Sequence, residues 1–349
     1  MLLSDFDYEL PEELIAQRPL EQRDASRMLV LNRAAQTRED SRFERLPEYV
    51  RAGDVVVVNN TRVFPARLIG QREPSGGRVE VLLVREVETA VWEALVRPAQ
   101  RLKVGGRLRF GNSGLRAEVL EAAAKGTRVL RFESEGSGDR ELEELLNAQG
   151  QTPLPHYIRR PTGESKEDSE RYQTVFARER GAIAAPTAGL HFTPDVISAL
   201  KARQAQVVEI TLHVGYGTFE PVRVKTVEEH RVAAEFFQIG EEAAKVINES
   251  HGRGGRVIAV GTTTTRALES AVNAEGLIAA GAAESNLTIT PGYEFQITDA
   301  LLTNFHLPLS SLLLLVSAFS GRKFTLEAYR HAVAARYRFY SYGDCMFVI

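Results

Sequence analysis

The sequence predicts an α/β protein: a discontinuous α/β main domain with an inserted small antiparallel β-barrel domain. Three observations lead there. Both ends of the 349-residue chain alternate apolar strand-like runs with segments of helical periodicity. From about Arg67 to Glu133 the pattern changes to short alternating runs separated by glycines. The length also exceeds that of one compact domain, which favours two. The expected boundaries are residues 1–64 and 151–349 for the α/β domain and 65–150 for the barrel.

In chain order, "GDVVVVNNTRVFPARL" reads as a buried strand, Val55 to Val58, ending at two asparagines and Arg62. Six barrel strands come next, "ARLIG", "GRVEVLLVRE", "AVWEALVRP", "GRLRFG", "LRAEVLE" and "TRVLRFE", with Trp92 inside as a packing residue. "GSGDRELEELLNAQG" is a turn and a short charged helix that marks the return from the barrel. The stretch from Arg160 to Gln173 is polar and rich in turn formers, as a surface loop would be. Thr193-Pro194-Asp195 starts a helix: N-cap, proline at the first helical position, acid in the first turn. In "VVEITLHV", Val208, Ile210, Leu212 and Val214 share one face and Glu209, Thr211 and His213 the other. "RVIAV" precedes Gly261 and a helix, "ALLTNFHLP" precedes a helix from Ser310, and "TLEAYRHAVAARY" is a last amphipathic helix.

Composition removes several function classes. A formal net charge of -3 leaves no global footprint for a polyanion, so any RNA contact must come from a local patch. The single cysteine, Cys345, cannot close an intrachain disulfide, and no Cys-x-x-Cys or His-x-x-x-His spacing offers a metal site. "MLLSDFDYELPEELIAQRPL" carries acids early and lacks an apolar signal core, so a reducing cytoplasm is the expected compartment. The unbroken apolar core from Leu312 to Val316 is far short of the roughly 20 residues that span a bilayer, and reads as a buried helix. No sustained heptad argues for an oligomer, so a monomer is expected.

The candidate site residues cluster at strand ends, where open α/β sheets bind ligands and helix N-termini attract anions. His191, in "GAIAAPTAGLHFTP" with Thr187 and Gly189, sits between a strand and a helix start; taken alone, a structural histidine is the commoner occupant of such a place. His213 ends the alternating strand and leads into Gly215 and Gly217, which permit close backbone approach, although a half-solvated strand before a glycine turn explains them equally. Thr262, Thr263, Thr264 and Thr265 cap a helix or face a carboxylate or sugar, with no Gly-x-Gly-x-x-Gly or Walker pattern beside them. Asn304 and His306 close another strand. Basic residues interleaved with rings, in "PHYIRRP" (Tyr157, Arg159, Arg160), suit phosphate contact and base stacking. The similar "RYRFYSYGD" reads better as a packed C-terminal strand.

In combination these segments resemble a known family. "DFDYELPEELIAQRPL", "RDASRMLVL", "GDVVVVNNTRVFPARL", "TPLPHYIRR", "GAIAAPTAGLHFT", "TLHVGYGTFEPV", "GTTTTRALES", "TNFHLPLSSLLLLVSAF" and "YRFYSYGD" are similar, in this order, to the S-adenosylmethionine:tRNA ribosyltransferase-isomerases of queuosine biosynthesis. The resemblance implies transfer and isomerisation of the ribosyl moiety of S-adenosylmethionine onto 7-aminomethyl-7-deazaguanine at the tRNA wobble position, giving epoxyqueuosine, adenine and methionine. S-adenosylmethionine would be consumed as a substrate, with no separate cofactor. It also assigns roles as expectations: His191 or His213 for proton transfer, Asn304 and His306 for the sugar or adenine, and Thr262 to Thr265 for the methionine carboxylate. Asn60 and Arg62, with Tyr157, Arg159 and Arg160, would face the RNA.

Overall fold

The computed structural model describes residues 1–123, 126–134, 139–160, 166–215 and 222–349. Its strands and helices run β1 (Arg27–Asn32), β2 (Thr37–Arg42), α1 (Leu46–Tyr49), β3 (Val55–Asn59), β4 (Thr61–Val63), β5 (Arg67–Glu73), β6 (Arg78–Glu88), β7 (Val91–Arg97), β8 (Arg107–Phe110), β9 (Leu115–Ala122) and β10 (Thr127–Glu133). Next come α2 (Asp139–Gln149), α3 (Lys166–Arg171), β11 (Glu179–Ala182), α4 (Pro194–Ala202), β12 (Gln206–Leu212), β13 (Glu235–Ile239), α5 (Glu241–Gly252), β14 (Val257–Val260) and α6 (Thr262–Ala271). The chain ends with β15 (Gly281–Ser285), β16 (Ala300–Asn304), α7 (Ser311–Ser320), α8 (Arg322–Ala334) and β17 (Cys345–Val348).

Two compact units result. One comprises Met1–Arg62, Pro155–Arg159 and Gln173–Ile349; the other comprises Val63–Leu154 and Arg160–Tyr172. The first is built on a nine-stranded sheet ordered β15-β13-β12-β3-β14-β16-β17-β1-β2. Its centre, β12, β3, β14 and β16, is parallel. β17 then runs antiparallel to β16 and parallel to β1.

The unbroken valines of β3 are explained by burial on both faces. Val55 and Val57 pack with Ile247 of α5 and Leu268 of α6, whereas Val56 and Val58 pack with Val196 and Leu200 of α4. The same alternation sends Leu29 and Leu31 of β1 to α7 and α8, and Met28 and Val30 to the α4 side. Each such side chain removed from water contributes about 1.5–3 kcal/mol before chain entropy is offset.

Helix starts follow the expected chemistry. The Thr193 hydroxyl accepts from the Val196 N–H at 3.3 Å, and the Ser310 hydroxyl accepts from the Leu313 N–H at 3.3 Å. The Leu312 to Val316 run lies within α7 and is buried from Leu313 onward. Among the described residues no helix is long and apolar enough to cross a membrane.

The second unit holds a closed barrel, β10-β7-β6-β5-β8-β9, formed by the six segments read as strands. Trp92 packs its ring on Phe64 at 5.6 Å. Two local readings change. The polar stretch after Arg160 contains the helix α3, and Arg160 donates to both carboxylate oxygens of Asp168, the shortest contact being 2.7 Å. "RYRFYSYGD" is not a strand: it is an irregular segment preceding β17, buried from Phe339 onward, because Arg336 and Tyr340 adopt φ +55° and +72° and break the extended run.

Candidate active site

The parallel strands β14 and β16 end side by side, and a cleft opens between the segments into which they lead. After Val260, Gly261 turns at φ +94° and ψ 151°, a region that favours glycine, and delivers the chain into α6. Thr262 and Thr263 therefore sit in the first turn, where backbone N–H groups lack intrahelical acceptors. After Asn304, the chain passes through Phe305 to His306. Between these ends lies a cleft walled by Pro186, Thr187, Val214, Leu312 and Tyr340, with Asn304 and His306 also lining it.

A second lobe shares Thr262, Thr263 and Leu312 with the first. It adds His230, Glu235 and Arg266. Arg266 donates to Glu235 at 2.6 Å, and both side chains are almost wholly buried. Glu235 also accepts from the Gly215 N–H at 3.0 Å. The first lobe is lined by no Asp, Glu, Lys or Arg among the described residues, so the two lobes differ in charge as well as in position.

His191 is buried just behind the cleft. Its Nε2 lies 3.2 Å from the Asn304 amide nitrogen and its Nδ1 2.8 Å from the Ser26 hydroxyl. Since the amide nitrogen can only donate, Nε2 accepts and Nδ1 carries the proton. Burial lowers the His191 pKa to about 4, so the ring is neutral near pH 7. His306 is lowered to about 3 by burial and is held by Thr303 and the Tyr329 hydroxyl, each at 3.2 Å.

His213 occupies a different setting. It lies just past the end of β12, next in sequence to Val214, which lines the cleft. Its Nδ1 lies 2.8 Å from the Thr61 hydroxyl, its ring stacks with Phe236 at 5.7 Å, and burial lowers its pKa. Gly181 makes room for it: a Cβ there would come within 2.6 Å of the imidazole. Nε2 of His213 has no hydrogen-bond partner among the described residues.

The cleft thus gathers Thr187, Thr262, Thr263, Asn304 and His306 from the expected set, and leaves others out. Thr264 and Thr265 are fully buried, with the Thr265 hydroxyl donating back to the Gly261 carbonyl at 3.1 Å. Gly189 packs against Thr174, and Gly215 is tied to Glu235. Gly217 lies outside the described residues.

The residues expected to face RNA divide. Arg62 and Arg159 are exposed, Arg159 pairing with Glu12. Asn60 is instead buried, accepting from Thr211 at 2.8 Å, and Arg160 is committed to Asp168. Tyr157 is bonded to the Ser341 hydroxyl and packs edge-on against Tyr340 at 4.0 Å, so it buttresses the cleft wall.

His230, Arg266, Glu235 and Tyr340 line the cleft without having been anticipated. Arg266 was within reach of sequence reasoning, since it lies four positions after Thr262 and shares its helix face. Glu235 carried no local signal, and Tyr340, within "RYRFYSYGD", was read as part of a packed strand. Among the described residues no cluster of His, Cys, Asp or Glu is placed to hold a metal ion.

Fold and cleft define a class: an α/β enzyme with a cleft at the carboxyl ends of parallel strands, the place where open α/β sheets take ligands, and with a β-barrel inserted in the chain. The family described as queuosine biosynthesis protein matches residues 3–348. A curated relative, the S-adenosylmethionine:tRNA ribosyltransferase-isomerase of Natranaerobius thermophilus, is 49% identical over 349 residues, covering 100% of this chain and 99% of that one. The crystal structure of an S-adenosylmethionine tRNA ribosyltransferase from Thermotoga maritima is similar with a TM-score of 0.56 and 38% identity, over 99% of this chain and 100% of that one. The chain belongs to the queuosine biosynthesis family of S-adenosylmethionine:tRNA ribosyltransferase-isomerases.

Proposed function

We propose that the protein transfers the ribosyl moiety of S-adenosylmethionine to 7-aminomethyl-7-deazaguanine at the tRNA wobble position and isomerises it, giving epoxyqueuosine-tRNA, adenine and methionine. The observation that carries this reading is the end-to-end similarity to a named ribosyltransferase-isomerase. The segments of highest motif character in this chain, around Thr187, Thr262 and Asn304, also meet at one cleft.

The chemistry sets the requirements. The sulfonium acidifies the neighbouring ribose 5′ C–H; removing that proton triggers loss of adenine, the aminomethyl group attacks, and rearrangement to the epoxycyclopentane expels methionine. A base, a partner for adenine and exclusion of water are all needed. Thr262, Thr263 and the start of α6 suit the methionine carboxylate, because helix N-termini favour anions. Asn304 and His306 suit the nucleoside. Proton exchange falls to His213, whose Nε2 is uncommitted, rather than to His191, whose Nε2 is occupied by Asn304. On the same reading the protein works in the cytoplasm as a monomer, with S-adenosylmethionine a consumed substrate and no separate cofactor.

The test is adenine release. Incubated with S-adenosylmethionine and an anticodon stem-loop carrying the aminomethyl deazaguanine, the protein should release adenine in step with RNA modification; no adenine sinks the reading. His213→Ala should slow single-turnover release by about 10²- to 10⁴-fold. An unchanged rate would remove His213 from proton transfer.

A further inference from the structure

The Asn304 side chain is satisfied on only one side. Its amide nitrogen faces three acceptors: His191 Nε2 at 3.2 Å, the Tyr340 carbonyl at 3.1 Å and the Asp344 carbonyl at 3.4 Å. Its Oδ1 is buried and has no hydrogen-bond partner among the described residues, although the residue is only 2% exposed and lines the cleft. Flipping the amide would set an oxygen against two carbonyls, so the orientation is fixed. The backbone next to it is fixed as well. Tyr340 is held at φ +72° by donating its N–H to the Phe305 carbonyl and accepting from Asn304, an uncommon conformation for an aromatic residue.

A buried acceptor left bare costs about as much as a lost hydrogen bond, unless a ligand supplies the donor. The surroundings indicate which donor. This lobe carries no charged lining residue among those described, and it is lined by the apolar residues Pro186, Val214 and Leu312 together with Tyr340. Such a lobe suits a planar heteroaromatic ring bearing an amine. The charged amino-acid end of a sulfonium nucleoside suits the other lobe, beside Arg266, Glu235 and the start of α6.

Resting on the proposed function, we propose that Asn304 Oδ1 accepts a hydrogen bond from the exocyclic amine of adenine, and that His191 is a positioning residue that locks the Asn304 amide for this purpose. The acceptor selects a 6-amino purine against a 6-oxo purine, whose carbonyl would oppose Oδ1. His191 then contributes through Asn304 and moves no proton itself.

Calorimetric titration without RNA separates this proposal from the overall reaction. The wild-type protein should bind S-adenosylmethionine about 10- to 100-fold more tightly than its 6-oxo analogue, and 2′-deoxy and 3′-deoxy analogues nearly as well as the parent. Asn304→Ser should abolish most of the 6-amino preference. His191→Leu, which removes the acceptor behind the amide, should do likewise, and His191→Gln, which restores one, should recover it. In wild type, equal affinity for the 6-amino and 6-oxo compounds overturns the proposal and leaves adenine release as the separate test of the reaction. Loss of affinity on deoxygenating the sugar, cancelled by Asn304→Ser, would assign Oδ1 to the ribose and overturn it too. If His191→Gln keeps the preference but slows turnover more than 100-fold at unchanged affinity, His191 moves a proton and the positioning role is wrong.

Discussion

Burial acts on the histidines through their charge. In the unfolded chain His191 and His306 titrate near their ordinary pKa of about 6.5, but folding lowers them to about 4 and about 3. Between those values the unfolded chain binds protons that the folded one refuses, so stability is full above about pH 6.5 and falls as pH drops toward the folded pKa values. Across that window the loss is about 3 kcal/mol for His191 and about 5 kcal/mol for His306. Thermal melts from pH 7.5 to 4.5 should show the fall, and His191→Gln should flatten part of it; parallel slopes for variant and wild type would contradict this. At this scale "TNFHLP" made Asn304 legible, because an asparagine at a strand end before a turn is a recognisable ligand position. Tyr340 was not legible, since its backbone conformation is imposed by Phe305 and Asn304, which are distant in the chain.

Elements place these residues, and two of their junctions are open to test. Gly261 joins β14 to α6 in a backbone region that favours glycine, while a Cβ there would meet nothing closer than 3.7 Å. Gly261→Ala should therefore cost about 1–3 kcal/mol through backbone strain alone, measurable by urea unfolding. It should also weaken S-adenosylmethionine binding, because the first turn of α6 must shift. The buried pair of Arg266 on α6 and Glu235 on β13 behaves differently. Arg266→Met leaves a carboxylate buried without its partner and should cost about 3–5 kcal/mol; a loss under about 1 kcal/mol would show the pair to be dispensable. The barrel strands were legible because their alternation is local and punctuated by glycines. β13 and β15 were not, since Phe236 and the small residues of β15 give no clean period, and the pairing of β13 with β12 and of β15 with β13 is decided by tertiary contact.

Across the whole molecule, a net charge of -3 means that an RNA polyanion must be held by local cations against the overall sign. Arg62 and Arg159 are exposed and belong to the same compact unit as the cleft. Arg62→Ala and Arg159→Ala should each weaken binding of the anticodon stem-loop and reduce the slope of log affinity against log salt by about one, with adenine release from saturating RNA little changed. An unchanged slope would remove the residue from the RNA contact. The two-part organisation could be read from the change in periodicity near Arg67, whereas the membership of Arg160–Tyr172 in the barrel unit could not, as it depends on packing rather than pattern.

The position of β17 has a kinetic consequence. It lies between β16 and β1, so the six strands from β15 to β16 are joined to β1 and β2 only through the last strand in chain order. The pairing of Met28 with Cys345, beside an Arg27–Asp344 contact 317 residues apart in sequence, closes a very long loop. Closing it costs entropy that local contacts cannot return early, and ladders of such high sequence separation form slowly. The barrel, whose neighbours are close in sequence, is free of that delay. In a refolding experiment followed by pulsed hydrogen exchange, amides of β5 to β10 should gain protection before those of β1 and β17. The cleft should acquire its ligand affinity only in the later phase, because Asn304 is paired directly with Cys345.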